Sequence, residues 1–201
     1  MFEQILQLDT DVFIYLNSMG TPKWDSFWMA YTSKFNWIPF YALLLYLIFK
    51  QLHLKGFLIT IVAVALMILV TDQVTNLFKN GFHRLRPCHL AELIDSMRLV
   101  KSGCGGKYGF FSGHASNTMA AAIFIGLTLK KRFKYLIYIL IFWAILMGYS
   151  RIYIGVHYPL DVLLGMLFGM LTGILFYKLN LYMINKFQTK RKNQDLGNDL
   201  K

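Results

Sequence analysis

Long apolar runs constrain the fold of this sequence more than any other feature. A helix that crosses a bilayer needs roughly 20 mostly apolar residues. Four segments approach that length with few interior charges: residues 56–78, 115–129, 135–149 and 159–177. A fifth run, residues 37–49, is shorter, although a start nearer Asp25 would lengthen it and place Lys34 inside. We therefore expect an all-α, polytopic membrane helical bundle with five to six transmembrane helices.

Composition agrees with the membrane class. Of the 201 residues, 56% are hydrophobic and 15% are charged, whereas a soluble domain is roughly a quarter charged. The net charge of +11 is divided among short clusters between the apolar runs. Membrane topology explains such clusters better than a nucleic-acid-binding face does, so we expect no nucleic-acid partner. The sequence indicates neither a protein partner nor an oligomeric state.

The basic clusters also predict an orientation. Three of them lie in alternate connections, namely residues 50–55, residues 130–134 and the C-terminal tail. By the positive-inside rule these connections face the cytoplasm. The other connections, residues 79–113 and 150–158, then face outward together, although they also contain basic residues. Five spans would place the N-terminus outside, and a sixth span within residues 1–34 would place it inside.

The predicted membrane domain, residues 1–185, begins with a distinct segment. Residues 1–20 lack the basic start and the uninterrupted apolar core of a signal peptide. Their apolar positions recur at roughly helical spacing, which predicts an interfacial amphipathic helix; they are Phe2, Ile5, Leu6, Val12, Phe13 and Leu16. Residues 186–201 are polar and basic without an apolar period, and we expect them to form a flexible cytoplasmic tail.

Both cysteines of the chain, Cys88 and Cys104, fall in the outward-facing connection 79–113. In an oxidising compartment such a pair can form a disulfide, which would stiffen the loop that carries it. The alternative is two free thiols in a polar loop. The sequence leaves both open.

Three outward-facing stretches contain an unusual set of polar residues. The first has Lys79 and Arg86-Pro87, the second has Ser112-Gly113-His114 where an apolar helix begins, and the third has Arg151, His157 and Asp161. Taken singly, the cations could extend to lipid headgroups, and the other side chains could simply suit the start of a helix. Taken together, they bring cations, imidazoles and a carboxylate to one depth of the membrane, where charged residues tend to mark a function.

This set of side chains suits a phosphate ester as ligand. Fixed cations bind phosphate oxygens, and the backbone N–H groups of Ser112 and Gly113 at a helix start form a further anion site. His157 and Asp161 are four residues apart, a spacing that places neighbours on one helical face. The carboxylate would fix the imidazole tautomer and leave the other ring nitrogen free to attack phosphorus. His114 could protonate the departing alkoxide.

The sequence contains no signature of a bound metal or cofactor. No cluster of cysteine and histidine has the spacing of metal ligands. Neither a P-loop nor a dinucleotide-binding glycine pattern is present. We therefore expect a site that works without a metal or a cofactor.

At these residues the sequence resembles the type 2 phosphatidic acid phosphatase (PAP2) superfamily, which includes membrane lipid phosphatases and vanadium haloperoxidases. Three motifs carry the resemblance: Lys79, six residues and Arg86-Pro87; then Phe111-Ser112-Gly113-His114; then Ser150-Arg151, five residues, His157, three residues and Asp161. Only the leading residue of the second motif departs from the pattern, because Phe111 stands where proline is normal. The resemblance covers roughly residues 50–177.

The resemblance implies a role for each motif residue. His157 would attack phosphorus and form a phosphohistidine, Asp161 would orient it, and His114 would protonate the leaving group before water releases phosphate. The oxygens of the phosphate and the charge of the transition state would be held by Lys79, Arg86, Ser112, Gly113 and Arg151. The loop that contains Cys88 and Cys104 also resembles the disulfide-bearing loop of Bacteroidetes-type members.

From this resemblance we expect a lipid phosphatase of the bacterial inner membrane with its site at the periplasmic face. Among the family's substrates we favour undecaprenyl diphosphate, because small periplasm-facing members often recycle that carrier. Lipid A phosphates, phosphatidylglycerophosphate and phosphatidate are the alternatives, and a soluble sugar phosphate is another. A non-catalytic lipid-phosphate binder or transporter usually lacks a reacting histidine or the aspartate, which this sequence retains. Haloperoxidases of the family are generally soluble and larger.

Overall fold

The structure is a computed structural model that describes residues 1–198 of the chain. The α-helices within these residues are α1 (Phe2–Ser18), α2 (Pro22–Thr32), α3 (Ile38–Phe82), α4 (Gly113–Leu129), α5 (Leu136–Tyr153) and α6 (Pro159–Asn198). Short 3-10 turns occur at Lys34–Trp37, Pro87–His89 and Ala91–Leu93. Residues 1–198 contain no β-strand, although Leu85 and Tyr108 form an isolated bridge. The predicted all-α class is confirmed.

Three described stretches are long and apolar enough to cross a membrane, namely Lys34–Phe82, Leu136–Tyr153 and Pro159–Phe187. The first contains two of the predicted apolar runs, and the others correspond to one run each. α4 corresponds to the remaining run but has only 17 residues. The expected total of five to six crossings stays a prediction.

α3 is too long to be a single membrane crossing. Its 45 residues would extend about 68 Å as a straight helix, roughly twice the thickness of a bilayer's hydrocarbon core. The backbone leaves the helical conformation at His53, with φ 54° and ψ −178°, and the rings of Phe49 and Phe57 meet across this bend at 5.4 Å. α3 therefore consists of a first arm, residues 38–52, and a second arm, residues 54–82.

The first arm continues a path that begins with α2, a helix that the sequence did not predict as a separate element. Trp28 of α2 packs against Tyr149 of α5 at 5.0 Å between ring centroids, and Trp37 packs against Trp143 at 5.3 Å. Farther along, the side-chain amide of Gln51 donates to the carbonyl of Thr128 near the end of α4, at 2.6 Å. α2 and the first arm thus lie one after the other along the bundle, separated by a break between Thr32 and Ile38.

The close packing of α6 on α4 sets the geometry of one end of the bundle. Glycines recur every four residues along α6, and a Cβ atom at Gly165 would lie 2.6 Å from the carbonyl oxygen of Ser112. A Cβ at Gly173 would lie 2.7 Å from the carbonyl oxygen of Ala120. Small residues at such spacing allow membrane helices to approach backbone to backbone. The first turns of α4 and α6, which carry predicted site residues, are therefore neighbours.

α4 is the central helix of the bundle. Phe124 and Leu129 of α4 are fully buried, as are Met67 of the second arm and Leu140 of α5. A helix that is apolar on all sides belongs in an interior. Because α4 is enclosed by its neighbours, its polar first turn is held in a fixed place at the bundle end.

α1 confirms the helix predicted near the N-terminus, although its interfacial location stays a prediction. One stripe of α1 faces the protein and contains the buried residues Asp9, Phe13 and Asn17, spaced four apart. Val12, which the sequence placed on the apolar face, is exposed at 37%. At the other end, α6 continues helically into the predicted tail, so the flexibility of residues 186–198 stays a prediction and residues 199–201 lie outside the described chain.

Candidate active site

A disulfide-closed loop between α3 and α4 covers one side of the site. Cys88 and Cys104 form a disulfide with a Cα–Cα distance of 5.8 Å. Arg86 is held inside this loop, since its Nη1 donates to the Cys104 carbonyl at 2.7 Å and its Nε to the Tyr108 carbonyl at 3.2 Å. The buried ring of Phe111, which replaces the usual proline, packs between aromatic rings of α3 and α6.

His157 and Asp161 form a buried pair at the start of α6. His157 Nδ1 lies 3.3 Å from Asp161 Oδ2, and the two residues are 2% and 0% exposed. The backbone N–H of Tyr158 donates to the same carboxylate oxygen at 3.2 Å. A proton on Nδ1, donated to Asp161, leaves the Nε2 lone pair available for attack.

Burial keeps the His157 imidazole uncharged. Loss of solvation lowers its pKa well below the ordinary value of 6.5, and the positive charges of Arg151, Arg86 and Lys79 lower it further. A neutral imidazole can act as a nucleophile, whereas an imidazolium cannot. The same cations that lower this pKa surround the position where an anionic phosphate would bind.

Arg151 and Lys79 complete the cationic lining of the site. Arg151, at the last turn of α5, is 5% exposed and donates from Nη1 to the hydroxyl of Thr32 at 2.7 Å. Its Nε is buried without a hydrogen-bond partner among the described residues, so it can bind an anion. Lys79 lies beside the start of α4, because a Cβ at Gly113 would be 3.7 Å from its Nζ.

The start of α4 supplies the second imidazole and a set of backbone donors. Ser112 is the N-cap of α4, and its hydroxyl accepts from the Ala115 N–H at 3.5 Å. The Ser112 N–H donates to the carbonyl of Asp161 at 2.9 Å, which ties the two motifs together. The expectation that this N–H binds the anion was therefore wrong, because its donor is already used within the protein. The side chain of His114 is exposed, and its imidazole lies within electrostatic range of the His157 imidazole.

All eight motif residues proposed from the sequence therefore lie at one end of the bundle. Sequence reasoning missed other groups that contact them. Thr32 binds Arg151, and Arg84 binds Asp161 at 3.0 Å. Gly109 lies so close to the pair that a Cβ there would be 2.9 Å from Asp161 Oδ2 and 3.5 Å from His157 Nδ1.

Some of these groups had a signal in the sequence and others had none. Arg84 is a further cation two residues before Arg86, and Asp9 is an acid spaced four residues from the apolar Phe13. Neither Thr32 nor Gly109 is distinguished by its neighbours in the sequence. Within the described residues, no group of three or more His, Cys, Asp or Glu side chains is placed to hold a metal ion. Metal independence itself stays a prediction.

The arrangement can perform phosphoryl transfer. A neutral imidazole with an oriented lone pair lies near three cations, Arg151, Arg86 and Lys79, and a second imidazole is available for proton transfer. Fixed positive charges near a reacting phosphate stabilise the negative charge of its transition state.

Comparisons with known proteins agree with this chemistry. The sequence matches the PAP2 superfamily over residues 56–184. It is 38% identical over 179 residues to a lipid A 4'-phosphatase of Bacteroides thetaiotaomicron, covering 88% of this chain and 79% of the relative. It is 35% identical over 183 residues to a lipid A 4'-phosphatase of Porphyromonas gingivalis, covering 90% and 76%.

Two further similarities are more distant. The sequence is 34% identical over 143 residues to an undecaprenyl-diphosphatase of Sulfolobus acidocaldarius, covering 71% of this chain and 63% of the relative. The fold matches the crystal structure of Aquifex aeolicus LpxE with a TM-score of 0.65 and 27% identity, covering 85% of this chain and 95% of that one. The resemblance predicted from the three motifs is confirmed.

Proposed function

Since the chain belongs to the PAP2 superfamily and is a membrane phosphatase, we propose that it hydrolyses a phosphate monoester of lipid A, with the 4'-phosphate as the leading candidate. The observation that carries the chemistry is the buried pair of His157 and Asp161, faced by three cations at the end of an apolar helical bundle. The choice of lipid A is supported by two relatives of that name that align with about nine-tenths of the chain.

This proposal changes the order of substrates expected from the sequence. Undecaprenyl diphosphate, which we favoured there, is supported by a relative that aligns with a smaller share of both chains. The motifs could not rank these lipids, because the motif residues bind the phosphate that all of them share.

Binding would place the phosphate among the cations of the site. The Nε of Arg151 is free to donate to a phosphate oxygen, and the Lys79 ammonium lies beside the first turn of α4. The backbone N–H groups at that helix start add donors and a partial positive charge. The bound phosphorus would lie against Nε2 of His157.

In the first step, His157 Nε2 attacks phosphorus while the bond between phosphorus and the sugar oxygen breaks. His114 donates a proton to that oxygen, so the sugar leaves as an alcohol. The product is a phosphohistidine whose imidazole ring is positively charged. Asp161, which accepts a hydrogen bond from Nδ1–H without taking the proton, stabilises this charge.

In the second step, water takes the place that the sugar has left. His114, now neutral, accepts a proton from the water while its oxygen attacks phosphorus. The bond between phosphorus and His157 breaks, the imidazole regains its lone pair, and orthophosphate is released. The two histidines end the cycle in their starting states.

We also propose that the protein lies in a bacterial inner membrane with this site at the periplasmic face. The disulfide in the site loop supports this, because disulfides persist in oxidising compartments. The basic residues 130–134, which follow α4 at the opposite end of the bundle, support it through the positive-inside rule.

The test is phosphate release by the purified full chain in detergent, without added metal and with a chelator present. The panel contains lipid A with phosphates at positions 1 and 4', undecaprenyl diphosphate, phosphatidylglycerophosphate and phosphatidate, and mass spectrometry identifies which phosphate is lost. Release from lipid A that is absent in His157→Ala is the expected result. A clear preference for undecaprenyl diphosphate would overturn the substrate, and normal turnover in His157→Ala would overturn the mechanism.

A further inference from the structure

The N-terminal helix reaches the catalytic pair although it lies outside residues 56–184, the part of the chain that matches the family. Asp9 of α1 is buried, with only 5% of its side chain exposed. Its Oδ1 accepts from the backbone N–H of Leu160 at 2.8 Å, in the first turn of α6. Its Oδ2 accepts from Nη2 of Arg84 at 2.5 Å. A helix distant in sequence therefore contacts the element that carries the catalytic pair.

Arg84 connects Asp9 to Asp161. The Nη1 of the same guanidinium donates to Asp161 Oδ1 at 3.0 Å, so its planar fork bridges two carboxylates. The guanidinium carbon also lies 4.1 Å from the centre of the Tyr158 ring. Phe13 of α1 packs edge-on against that ring at 5.4 Å between centroids. Arg84 is thus fixed by two ion pairs and an aromatic face.

The bridge fixes the orientation of the Asp161 carboxylate. Oδ1 is held by Arg84, while Oδ2 receives the Tyr158 N–H and the His157 imidazole. A rotation of the carboxylate would break contacts at both oxygens. The orientation of the imidazole therefore depends on a guanidinium that is itself held by Asp9.

The charges of Asp9, Arg84 and Asp161 also favour the reaction intermediate. Arg84 alone would cancel the negative charge of Asp161, and a neutral pair would do little for a positively charged phosphohistidine. Asp9 adds a second carboxylate, so the three residues together keep a net negative charge beside His157. In a buried site that charge acts strongly, because the effective dielectric constant is low.

We propose that Asp9 and Arg84 are positioning residues for the reaction, and that α1 is part of the catalytic unit and not only a membrane-contacting helix. The proposal rests on the phosphatase activity but not on which lipid is the substrate.

The test compares Asp9→Asn with a matched control, Asp25→Asn. Asparagine retains the shape of Asp9 and can still accept from Leu160, but it removes the charge that faces Arg84. Asp25 of α2 forms an ion pair of the same kind with Arg98, at 2.8 and 3.0 Å. Its hydrogen-bond partners within residues 1–198 are Arg98 and Tyr153, and neither is a member of the catalytic pair. Both variants weaken a tie between an N-terminal helix and the loop that follows α3.

Three quantities are measured on the purified full chain: kcat and KM with lipid A, the Kd for orthovanadate by calorimetry, and the thermal midpoint. We expect Asp9→Asn to lower kcat about tenfold with little change in KM, as is typical when a partner that orients a reacting group is lost. Orthovanadate, which mimics the transition state on a histidine nitrogen, should bind about tenfold more weakly, by the same loss of orientation. Asp25→Asn should change only the thermal midpoint.

An unchanged kcat in Asp9→Asn overturns the proposal, as does an equal loss of kcat in Asp25→Asn. A deficit that disappears well below the thermal midpoint would show a purely structural role and would also overturn it. A second variant, Arg84→Lys, should show an intermediate deficit, because an ammonium cannot span both carboxylates as a planar fork does. If the wild type does not turn over lipid A, the substrate proposal fails, while the orthovanadate comparison still decides the role of Asp9.

Discussion

Residues 56–184 and residues 1–33 build the same site in different ways. The first region supplies the groups that would react or bind phosphate, in short motifs with fixed spacing. The second region supplies groups that hold them, each from a different position on α1 or α2 and each through contacts distant in sequence. The difference shows that the candidate reacting residues can be identified from short stretches of sequence, while their positions depend on contacts between residues distant in sequence.

The end of α5 illustrates what the second region contributes. The side-chain amide of Asn17 donates to the carbonyls of Ile152 and Tyr153, at 3.1 and 2.9 Å. These carbonyls belong to a helix end, where intrahelical donors run out, and the Ile152 carbonyl also accepts from the Gly155 N–H at 3.0 Å. Arg151 precedes them directly, so α1 stabilises the turn from which this proposed phosphate-binding residue extends.

Among substitutions that test this comparison of the two regions, one at His114 should have the largest effect on kcat. His114→Ala should lower kcat by about 10²–10⁴-fold, because a general acid contributes that much to the departure of an alkoxide. The loss should be much smaller with an aryl phosphate, whose leaving group departs without a proton. Turnover rates for the two ester types, measured in the variant and the wild type, check the assignment. An equal loss for both esters would contradict it.

Gly109 tests whether a residue between the motifs can matter as much as one inside them. A methyl group in Gly109→Ala would press on Asp161 Oδ2, and a displacement of about 1 Å near reacting groups can cost about 10²-fold in rate. Gly106→Ala is the control, because a Cβ at Gly106 meets no atom within 4 Å. Both variants are assayed for kcat. Equal kcat values in the two variants would show that the loop shifts to accommodate the methyl group without displacing His157 and Asp161.

How much could be predicted from the sequence differs between these regions for a physical reason. The contact between His157 and Asp161 was predicted from residue type and spacing, since a helical turn brings positions four apart together. Asp9 resembled an exposed acid on an amphipathic helix, because its partner Arg84 is 75 positions away. No periodic pattern links two such residues before the chain has folded.

The membrane spans show the same limit. Apolar length predicted the second arm of α3 well, because residues 56–78 meet the requirement on their own. The run 37–49 looked short because α2 supplies the other part of its path, across a break that follows Thr32. The loop between α3 and α4 has no apolar period at all. A disulfide and hydrogen bonds from Arg86 to backbone carbonyls hold it instead.

The disulfide is expected to have a smaller effect than either glycine or histidine substitution. Replacing Cys88 and Cys104 together by serine frees a loop whose closure is worth about 3 kcal/mol of stability. Arg86 should then hold phosphate less firmly, and kcat/KM should fall about tenfold, since a hydrogen bond to a charged group is worth about 1.5–3 kcal/mol. A fall in the thermal midpoint with no change in kcat/KM would show that the disulfide stabilises the loop but does not contribute to phosphate binding.

Thr32→Val is expected to give the smallest effect and is the most direct test of residues 1–33 apart from Asp9. Valine keeps the shape of Thr32 but removes the hydroxyl that accepts from Arg151 at 2.7 Å. Because the net contribution of a hydrogen bond is about 1 kcal/mol, KM should rise and the affinity for orthovanadate should fall about fivefold. Thr172→Val is the matched control, since among residues 1–198 the hydrogen-bond partner of the Thr172 hydroxyl is the Phe168 carbonyl of its own helix, at 2.8 Å. An equal change in both variants would mean that a buried threonine matters here for packing alone, and that Arg151 keeps its position without help from α2.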